Sequence, residues 1–235
     1  MIKKYELTDQ TISVFGRTLF RIKAKISFSD VTAGDIGGYI EKEENLETSG
    51  NAWVYDNALV YGNALVSGDA QVHGDAWVYG DAQVYDHARV FDNACVYNNA
   101  RLYGGAWVFD NARVYGDARV FDDAYVCDNV MVYGNALVSG DARLYGNAFV
   151  SGDAQVSGNA DYMTISPIGS RNDCITFMRT KTLEIYVSVG CFFGSIAAFR
   201  EKVQKTHGDN KHAKAYLLAA DLAEIRMSTH IREAD

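Results

Sequence analysis

A strict six-residue repeat runs from residue 54 to residue 161 and constrains the fold more than any other feature of the chain. Its template is V-Y/F/S-G/D-N/D-A-x, with Val at the first position except at Leu102 and Leu144, and Ala at the fifth except at Val130. First positions run from residue 54 to residue 156, which makes 18 units. A helical repeat needs about 30 residues or more, so six residues suit a short strand followed by a turn.

Side chains alternate along a strand, so the repeated valine points to one side and its two neighbours point to the other. Gly, Asp and Asn at the third and fourth positions tolerate the left-handed backbone that a tight corner requires. Three such units would close a triangular coil of 18 residues, and the whole repeat would form about six coils. The pattern therefore predicts a mainly β fold, a parallel β-helix with a valine interior.

These residues resemble the hexapeptide pattern of the left-handed parallel β-helix family, and the left-handed coil is implied by that resemblance. The segment at residues 30–43 (DVTAGDIGGYIEKE) is similar to the lead-in of hexapeptide-repeat proteins encoded by phages, prophages and bacteria. The C-terminal phrases GCFFG at 190–194 and THGDN at 206–210 resemble a module of the same phage proteins. The resemblance implies a phage or bacterial accessory protein, for which an anti-defence role is one hypothesis.

The rest of the chain departs from the repeat. Residues 1–47 contain short strand patterns with a hairpin signal at Gly16-Arg17, and an open coil end needs a cover, so we predict an N-terminal β cap. Residues 48–163 are assigned to the β-helix. Residues 164–235 read as a linker at 166–170, two strands and two helices, the helices capped by Ser195 and by Asp209 or Asn210. This small ββαα module is expected to dock on the last coil or on a neighbouring subunit.

Every third unit lies on the same face of a triangular coil, and one face carries a tyrosine in five successive coils at intervals of 18 residues. Stacked rings stabilise adjacent strands, so a purely intramolecular role is one interpretation. A large apolar and aromatic patch also marks interfaces, and we predict self-association through this face, with a homotrimer favoured by the family resemblance. The predicted interface residues are Trp77, Tyr79, Tyr97, Arg113, Tyr115, Met131 and Tyr133.

Composition narrows the classes of partner. A net charge of −8 and a pI near 5.1 argue against binding a nucleic acid duplex. The corner aspartates are interpreted as turn formers, with calcium-binding or DNA-mimicking corners as the alternatives. Four cysteines without metal spacing, no signal-peptide pattern and no stretch of 18 apolar residues predict a cytoplasmic protein with free thiols and no membrane span.

Positive charge is concentrated in the C-terminal module of this acidic chain. A helix start can receive an anion, and a phenylalanine ring can stack on a base. The alternative interpretation is that the basic residues form the solvated face of the first helix and that the phenylalanines are core. The candidate ligand-binding residues are Arg179, Lys181, Phe192, His207 and Lys211.

Known members of the β-helix family include acyltransferases that use a histidine base, often on a loop that breaks the repeat. This repeat has no loop insertion, and its two histidines, His73 and His87, lack the surroundings of a base. We therefore assign no catalytic residue, no metal and no cofactor. The sequence favours a non-enzymatic, oligomeric binding protein for an anionic small molecule of the nucleotide type or for a host protein. A hexapeptide acyltransferase and a structural virion or filament component remain the alternatives.

Overall fold

The computed structural model describes residues 3–228, in which a β-solenoid of about seven turns is covered by a β-hairpin at one end and by an α/β module at the other. The N-terminal strands are β1 (Tyr5–Val14), β2 (Arg17–Ala24) and β3 (Ile36–Ile40), and a short 3-10 turn follows at Glu43–Asn45. The solenoid strands are β4 (Trp53–Val54), β5 (Leu59–Val60), β6 (Leu65–Val66), β7 (Gln71–Val72), β8 (Trp77–Val78), β9 (Gln83–Val84), β10 (Arg89–Val90), β11 (Cys95–Val96), β12 (Arg101–Leu102), β13 (Trp107–Val108), β14 (Arg113–Val114), β15 (Arg119–Val120), β16 (Tyr125–Val126), β17 (Met131–Val132), β18 (Leu137–Val138), β19 (Arg143–Leu144), β20 (Phe149–Val150) and β21 (Gln155–Val156). The module contains β22 (Tyr162–Ile168), β23 (Asp173–Arg179), β24 (Ile185–Val189), β25 (Phe192–Ser195), α1 (Ile196–His207) and α2 (Lys211–Met227).

Each solenoid strand pairs in parallel with the strand three positions later, so the coil has three sheets. The first sheet has the order β3-β5-β8-β11-β14-β17-β20, the second β4-β7-β10-β13-β16-β19 and the third β6-β9-β12-β15-β18-β21. These sheets contain the three faces that the sequence predicts, in the same register. Every first-position residue from Val54 to Val156 is fully buried, and this valine column forms the core.

Corner chemistry follows the repeat closely. The third position has positive φ in each unit from residue 56 to residue 152. Several corner carboxylates accept hydrogen bonds from the next turn: Asp56 Oδ2 from the Gly74 N–H at 3.0 Å, and Asp128 Oδ2 from the Gly146 N–H at 2.7 Å. These contacts favour the interpretation of the corner aspartates as turn formers.

The first turn of the solenoid begins earlier than the repeat itself. Strand β3 pairs in parallel with β5, and Leu46 forms a parallel bridge with Val66. The count of six coils missed this turn because residues 36–47 do not follow the six-residue template. Gly37 and Gly38 lie within β3, the first strand of this turn.

Glycine is needed there for close approach between chains. A Cβ atom at Gly37 would lie 2.5 Å from the Val54 carbonyl oxygen, and one at Gly38 would lie 2.5 Å from that of Ala58. Any larger residue would push β3 away from the coil below it.

The N-terminal hairpin extends the first sheet, with the antiparallel pair β1–β2 beside β3. Its turn is at Phe15 and Gly16, one residue before the predicted Gly16-Arg17 turn, and Arg17 begins β2. Side chains of the hairpin pack on the outer surface of the first sheet, in a cluster that buries Leu19 with Leu59 and Tyr61. The hairpin therefore covers both the open coil end and part of the tyrosine face.

The C-terminal module has four antiparallel strands, so the predicted ββαα composition is wrong by two strands. The predicted linker at 166–170 covers the end of β22 and the turn that follows it. Strand β22 is an edge strand whose pairing is irregular between Ile165 and Ile168, and an irregular edge can accommodate Pro167. Strand β25 is the other addition. The helix caps are confirmed, since Ser195 Oγ accepts from the Ala198 N–H and Asn210 Oδ1 caps α2.

The module docks on the last coil. The Phe149 N–H donates to Thr176 Oγ1 at 3.0 Å, Thr180 forms an antiparallel bridge with Ala154, and the Met178 side chain belongs to the solenoid core. Neither helix described within residues 3–228 combines the length and apolarity needed to cross a membrane.

Candidate functional site

The tyrosine column of the first sheet is a continuous stack. Neighbouring ring centroids lie 4.8–5.0 Å apart, with ring planes within 5° of parallel. Such cross-strand pairs contribute roughly 0.2–1 kcal/mol each. The stacked residues are Tyr61, Tyr79, Tyr97, Tyr115 and Tyr133. The column therefore stabilises adjacent turns, whatever else it does.

Both ends of this column are covered by other parts of the chain. At one end Tyr61 is buried under the hairpin, and Trp77 meets Phe15 edge-on with 6.0 Å between ring centroids. At the other end Ser151 is buried beside the module. Of the predicted interface residues, Trp77 and Tyr79 thus lie beside the hairpin. The remaining five form a central strip that the chain leaves uncovered: Tyr97, Arg113, Tyr115, Met131 and Tyr133.

The central strip is uncharged apart from one guanidinium. Burial raises the pKa of Tyr97 and Tyr115, so their hydroxyls stay neutral and can donate hydrogen bonds at neutral pH. Arg113 is exposed and takes part in none of the six ion pairs found within residues 3–228. Tyrosine and arginine are enriched at the energetic centres of interfaces.

A cleft of about 330 Å³ lies in the C-terminal module between the β22–β23 turn, the β24–β25 turn and helix α1. We call it the basic cleft. Its charged or titratable lining residues are Arg171, Asp173, Cys191, Lys202 and His207, and its rings are Phe192, Phe199 and Tyr216. The rings pack on one another, with centroids 5.6 Å apart for Phe192–Phe199 and 5.7 Å apart for Phe199–Tyr216.

The five candidate ligand residues do not lie together. Phe192 and His207 line the basic cleft. Arg179 is tied into the structure: its Nε lies 3.0 Å from Asp161 Oδ1, and its guanidinium also donates to the carbonyl oxygen of Met227. Arg179 is largely buried and links the end of the solenoid to α2, so it is not placed to receive a ligand.

The other two candidates lie elsewhere. Lys181 lines a second cleft, between the module and the third sheet. Lys211 is the exposed first residue of α2, whose N–H groups at His212 and Ala213 already donate to Asn210 Oδ1 at 2.8 and 3.0 Å. The anion site expected at the start of this helix is therefore largely satisfied by its own cap.

Sequence reasoning did not single out Arg171 or Asp173. Both lie at the β22–β23 turn, and their approach to α1 depends on the pairing of β22 with β23, which extends into the predicted linker. The charge of Arg200 on α1 is neutralised, because its guanidinium lies 2.7 Å from the carboxylates of both Asp221 and Glu224. The uncompensated cations of the module are thus fewer and more localised than the sequence suggested.

The two solenoid histidines differ in environment. The His73 ring stacks on Tyr55 with centroids 3.9 Å apart and lies beside a cavity of about 440 Å³ that Arg89 and Trp107 also line. Burial lowers the pKa of His73, so its imidazole is neutral at pH 7. His87 is exposed at a corner, 3.4 Å from Asp69.

One group of potential metal ligands occurs in the described residues, at Asp110, Cys127 and Asp128, with ligand atoms within 4.8 Å of one another. The carboxylates already accept backbone hydrogen bonds, Asp110 from the Asp128 N–H at 3.2 Å and Asp128 from that of Gly146. Burial raises the pKa of Cys127 to about 11, so its thiol is protonated at neutral pH. Both carboxylates are thus already engaged in hydrogen bonds between turns, and the group fits a structural corner better than a metal site.

Comparison with known proteins bears on the repeat. The YdcK Beta solenoid repeat family matches residues 52–68, 58–74, 82–97, 112–128, 124–140 and 142–158, all within the solenoid. No curated protein matches the chain. Together with the three parallel sheets, these matches support a repeat β-helix family, and the chain is similar to the YdcK solenoids along its repeat.

Proposed function

We propose that this protein is a non-enzymatic binding protein, a self-associating left-handed β-helix whose basic cleft captures a small anionic ligand of the nucleotide type. The observation that carries this proposal is the meeting of Arg171 and Lys202 with His207 and the rings of Phe192 and Tyr216 around one cleft.

The chemistry of the basic cleft suits such a ligand. Phosphate oxygens need cationic donors, and a base needs a flat apolar surface. Both are present in about 330 Å³, a volume within the range of small-ligand sites. Two cations, Arg171 and Lys202, face one carboxylate, that of Asp173, so the charge balance favours an anion. The carboxylate can accept a hydrogen bond from a ribose hydroxyl or an exocyclic amine.

Self-association through the central strip is the second part of the proposal. The hexapeptide pattern supports left-handed coils and a closed trimer, which would present three basic clefts. A nucleotide signal fits the predicted cytoplasmic location. The resemblance of residues 30–43 and of the C-terminal phrases to phage proteins supports an accessory role such as anti-defence, with capture of a host protein as the alternative use of the strip.

Calorimetry with AMP, GMP, cyclic AMP and cyclic di-GMP tests the cleft. We expect binding heat with at least one nucleotide, weakened about tenfold or more by Arg171→Gln or Lys202→Gln, since a hydrogen bond to a charged group is lost. Lys214→Gln is the matched control, because Lys214 is exposed on α2 and does not line the cleft. Absence of heat with all four nucleotides, or equal binding by all three variants, would overturn the proposal.

The cavity beside His73 favours acyl transfer as a second candidate function. A neutral imidazole is the form that accepts a proton, and burial keeps His73 in that form. Calorimetry with coenzyme A, and acetyl-CoA hydrolysis by the wild type and by His73→Gln, test this candidate.

Oligomers that grow with concentration instead of closing at a fixed number would indicate a virion or filament component.

A further inference from the structure

A second cleft, of about 470 Å³, lies where the C-terminal module meets the third sheet. We call it the seam cleft. One wall comes from the last two coils, with Asn135, Asp153 and Gln155, and the other comes from the module, with Glu184, Tyr186 and Phe193. None of these six residues lines the basic cleft, so the seam cleft is separate from the proposed nucleotide site.

The two walls are fixed to each other by backbone contacts. The Lys181 N–H donates to the Asp153 carbonyl oxygen at 3.3 Å, and Thr180 pairs with Ala154 in an antiparallel bridge. These contacts attach the β23–β24 turn to the last coil. The cleft is therefore built at the junction, where the exposed β23–β24 turn supplies Lys181, Thr182 and Glu184.

Two aromatic rings form its apolar surface. The Phe193 and Tyr186 centroids lie 5.6 Å apart with their planes tilted by 54°, and Phe193 is 44% exposed. The Phe193 ring sits against Gly152, where a Cβ atom would lie 2.6 Å from Phe193 Cζ. The absence of a side chain at Gly152 thus lets the Cζ end of the Phe193 ring approach the coil, while the ring stays partly exposed to solvent.

The rim carries planar polar groups. Asn135 Nδ2 donates to Asp153 Oδ1 at 3.1 Å, and Thr182 Oγ1 donates to Glu184 Oε2 at 2.9 Å. Each contact orients a carboxylate and leaves its other oxygen able to accept. Gln155 adds an amide that can both donate and accept.

Charge decides which class of ligand this arrangement suits. Two carboxylates face one ammonium, that of Lys181, which belongs to none of the six ion pairs within residues 3–228. The balance is opposite to that of the basic cleft and disfavours a phosphate. Hydroxyl groups, by contrast, donate strong hydrogen bonds to carboxylates.

We propose that the seam cleft binds a saccharide, either neutral or amino-bearing. The C–H face of a pyranose ring would pack on Phe193 and Tyr186, while adjacent hydroxyls donate to Asp153 and Glu184 and pair with the Gln155 amide. A sugar presents one apolar face and a polar edge, and the cleft presents the complementary pair of surfaces.

Saturation-transfer difference NMR on the full chain tests this site at the millimolar affinities that single sugars show. The panel is glucose, galactose, N-acetylglucosamine and glucosamine, with glucose 6-phosphate as the charged comparator. We expect saturation of ring C–H protons in at least one of the four sugars. Weaker binding of glucose 6-phosphate than of glucose is also expected, because two carboxylates repel the phosphate.

Variants separate the two clefts. Phe193→Leu removes a ring and Glu184→Gln removes a charged acceptor, and each should weaken sugar binding about tenfold or more. Phe192→Leu is the matched control, since the adjacent phenylalanine lines the basic cleft, and it should retain sugar binding. Gln155→Ala provides a further test at a surface position if Phe193→Leu does not fold. No saturation of any of the four sugars by the wild type would overturn the proposal. Sugar binding by Phe193→Leu and by Glu184→Gln that is as strong as that of the wild type would also overturn it.

Discussion

Lys4 replaces part of a missing solenoid turn. In the solenoid, backbone carbonyl oxygens accept hydrogen bonds from N–H groups of the preceding turn. In the second sheet, for example, the Trp53 N–H donates to the Ala70 carbonyl oxygen, and the Ala52 N–H donates to the Gly68 carbonyl oxygen. The first strand of this sheet has no preceding turn to supply such donors. Lys4 Nζ supplies them instead, donating to the carbonyl oxygens of Ser49 at 3.0 Å, Gly50 at 3.2 Å and Ala52 at 2.8 Å. The side chain is only 2% exposed.

Lys4→Met keeps most of the buried stem and removes the three donors. Each buried carbonyl left without a donor costs about 1 kcal/mol, so the gross loss is about 3 kcal/mol. Removing a desolvated ammonium offsets part of this loss, and we expect a net destabilisation of about 2 kcal/mol. For a chain of this size that lowers the melting temperature by about 4–8 °C.

The effect of Lys4 also depends on pH with a definite sign. Burial lowers the pKa of Lys4 from 10.5 to about 8 in the folded state. Between those two values the unfolded chain binds the proton and the folded chain does not, so the wild type gains stability relative to Lys4→Met as pH rises from about 8 to 10.5. Comparing the two proteins cancels the other titrating groups.

Circular dichroism melts at several pH values measure the change in melting temperature and its pH dependence. Hydrogen exchange at residues 51–58 reports local opening of the first turn. Lys25→Met is the control, because Lys25 is exposed near the end of the same hairpin. Equal melting temperatures for Lys4→Met and the wild type would refute the role of Lys4 as a substitute donor. A gain in relative stability as pH falls below 10 would refute the sign of its pKa shift.

Two further predictions concern the central strip and the first turn. Changing Tyr97 and Tyr115 together to Lys should reduce the mass measured by light scattering to that of the single 25.9 kDa chain, whereas Tyr103→Lys on the third sheet should leave it unchanged; an unaltered mass in the double variant removes the strip from the interface. Gly37→Ala should destabilise the chain by about 2 kcal/mol in a urea titration, since inserted atoms force backbone shifts that cost about 1–3 kcal/mol. Gly158→Ala is the control and should cost less in the same titration, because a Cβ atom there would meet only the Asp141 carboxylate, at 3.3 Å.

The solenoid was predictable because each residue of its unit has one local role. Valine alternates inward, alanine fits the bend, and Gly, Asp or Asn tolerates positive φ, so period, register and face assignment follow from the sequence. The first turn was not predictable in this way. Its pairing rests on Gly37 and Gly38 approaching other backbone atoms, and on Lys4 donating across a gap of more than 40 residues. Contacts of that range leave no periodic signal.

The candidate site could be predicted only in part, because it too depends on contacts between residues that are far apart in the sequence. Clustering of basic residues along the chain suggested one anion site, but pairing is decided in space: Arg179 and Arg200 are neutralised, while Arg171 reaches the basic cleft from a turn. The exposed apolar stripe of α2 was also missed. Leu218, Leu222 and Ile225 lie on one side of the helix at exposures of 67%, 50% and 71%, a pattern hidden because the buried face of α2 consists mainly of alanines.

The net charge of −8 does not set the ligand preference of either cleft. Corner aspartates are engaged with neighbouring turns, and salt screens exposed charges beyond about 8 Å, so the residues lining each cleft decide. Strand β25 separates the two environments: alternation places Phe192 in the basic cleft and Phe193 in the seam cleft. Two sites of opposite charge balance thus share one strand. Replacing either phenylalanine should therefore impair one ligand class and spare the other, a crossed pattern that a general loss of folding cannot produce.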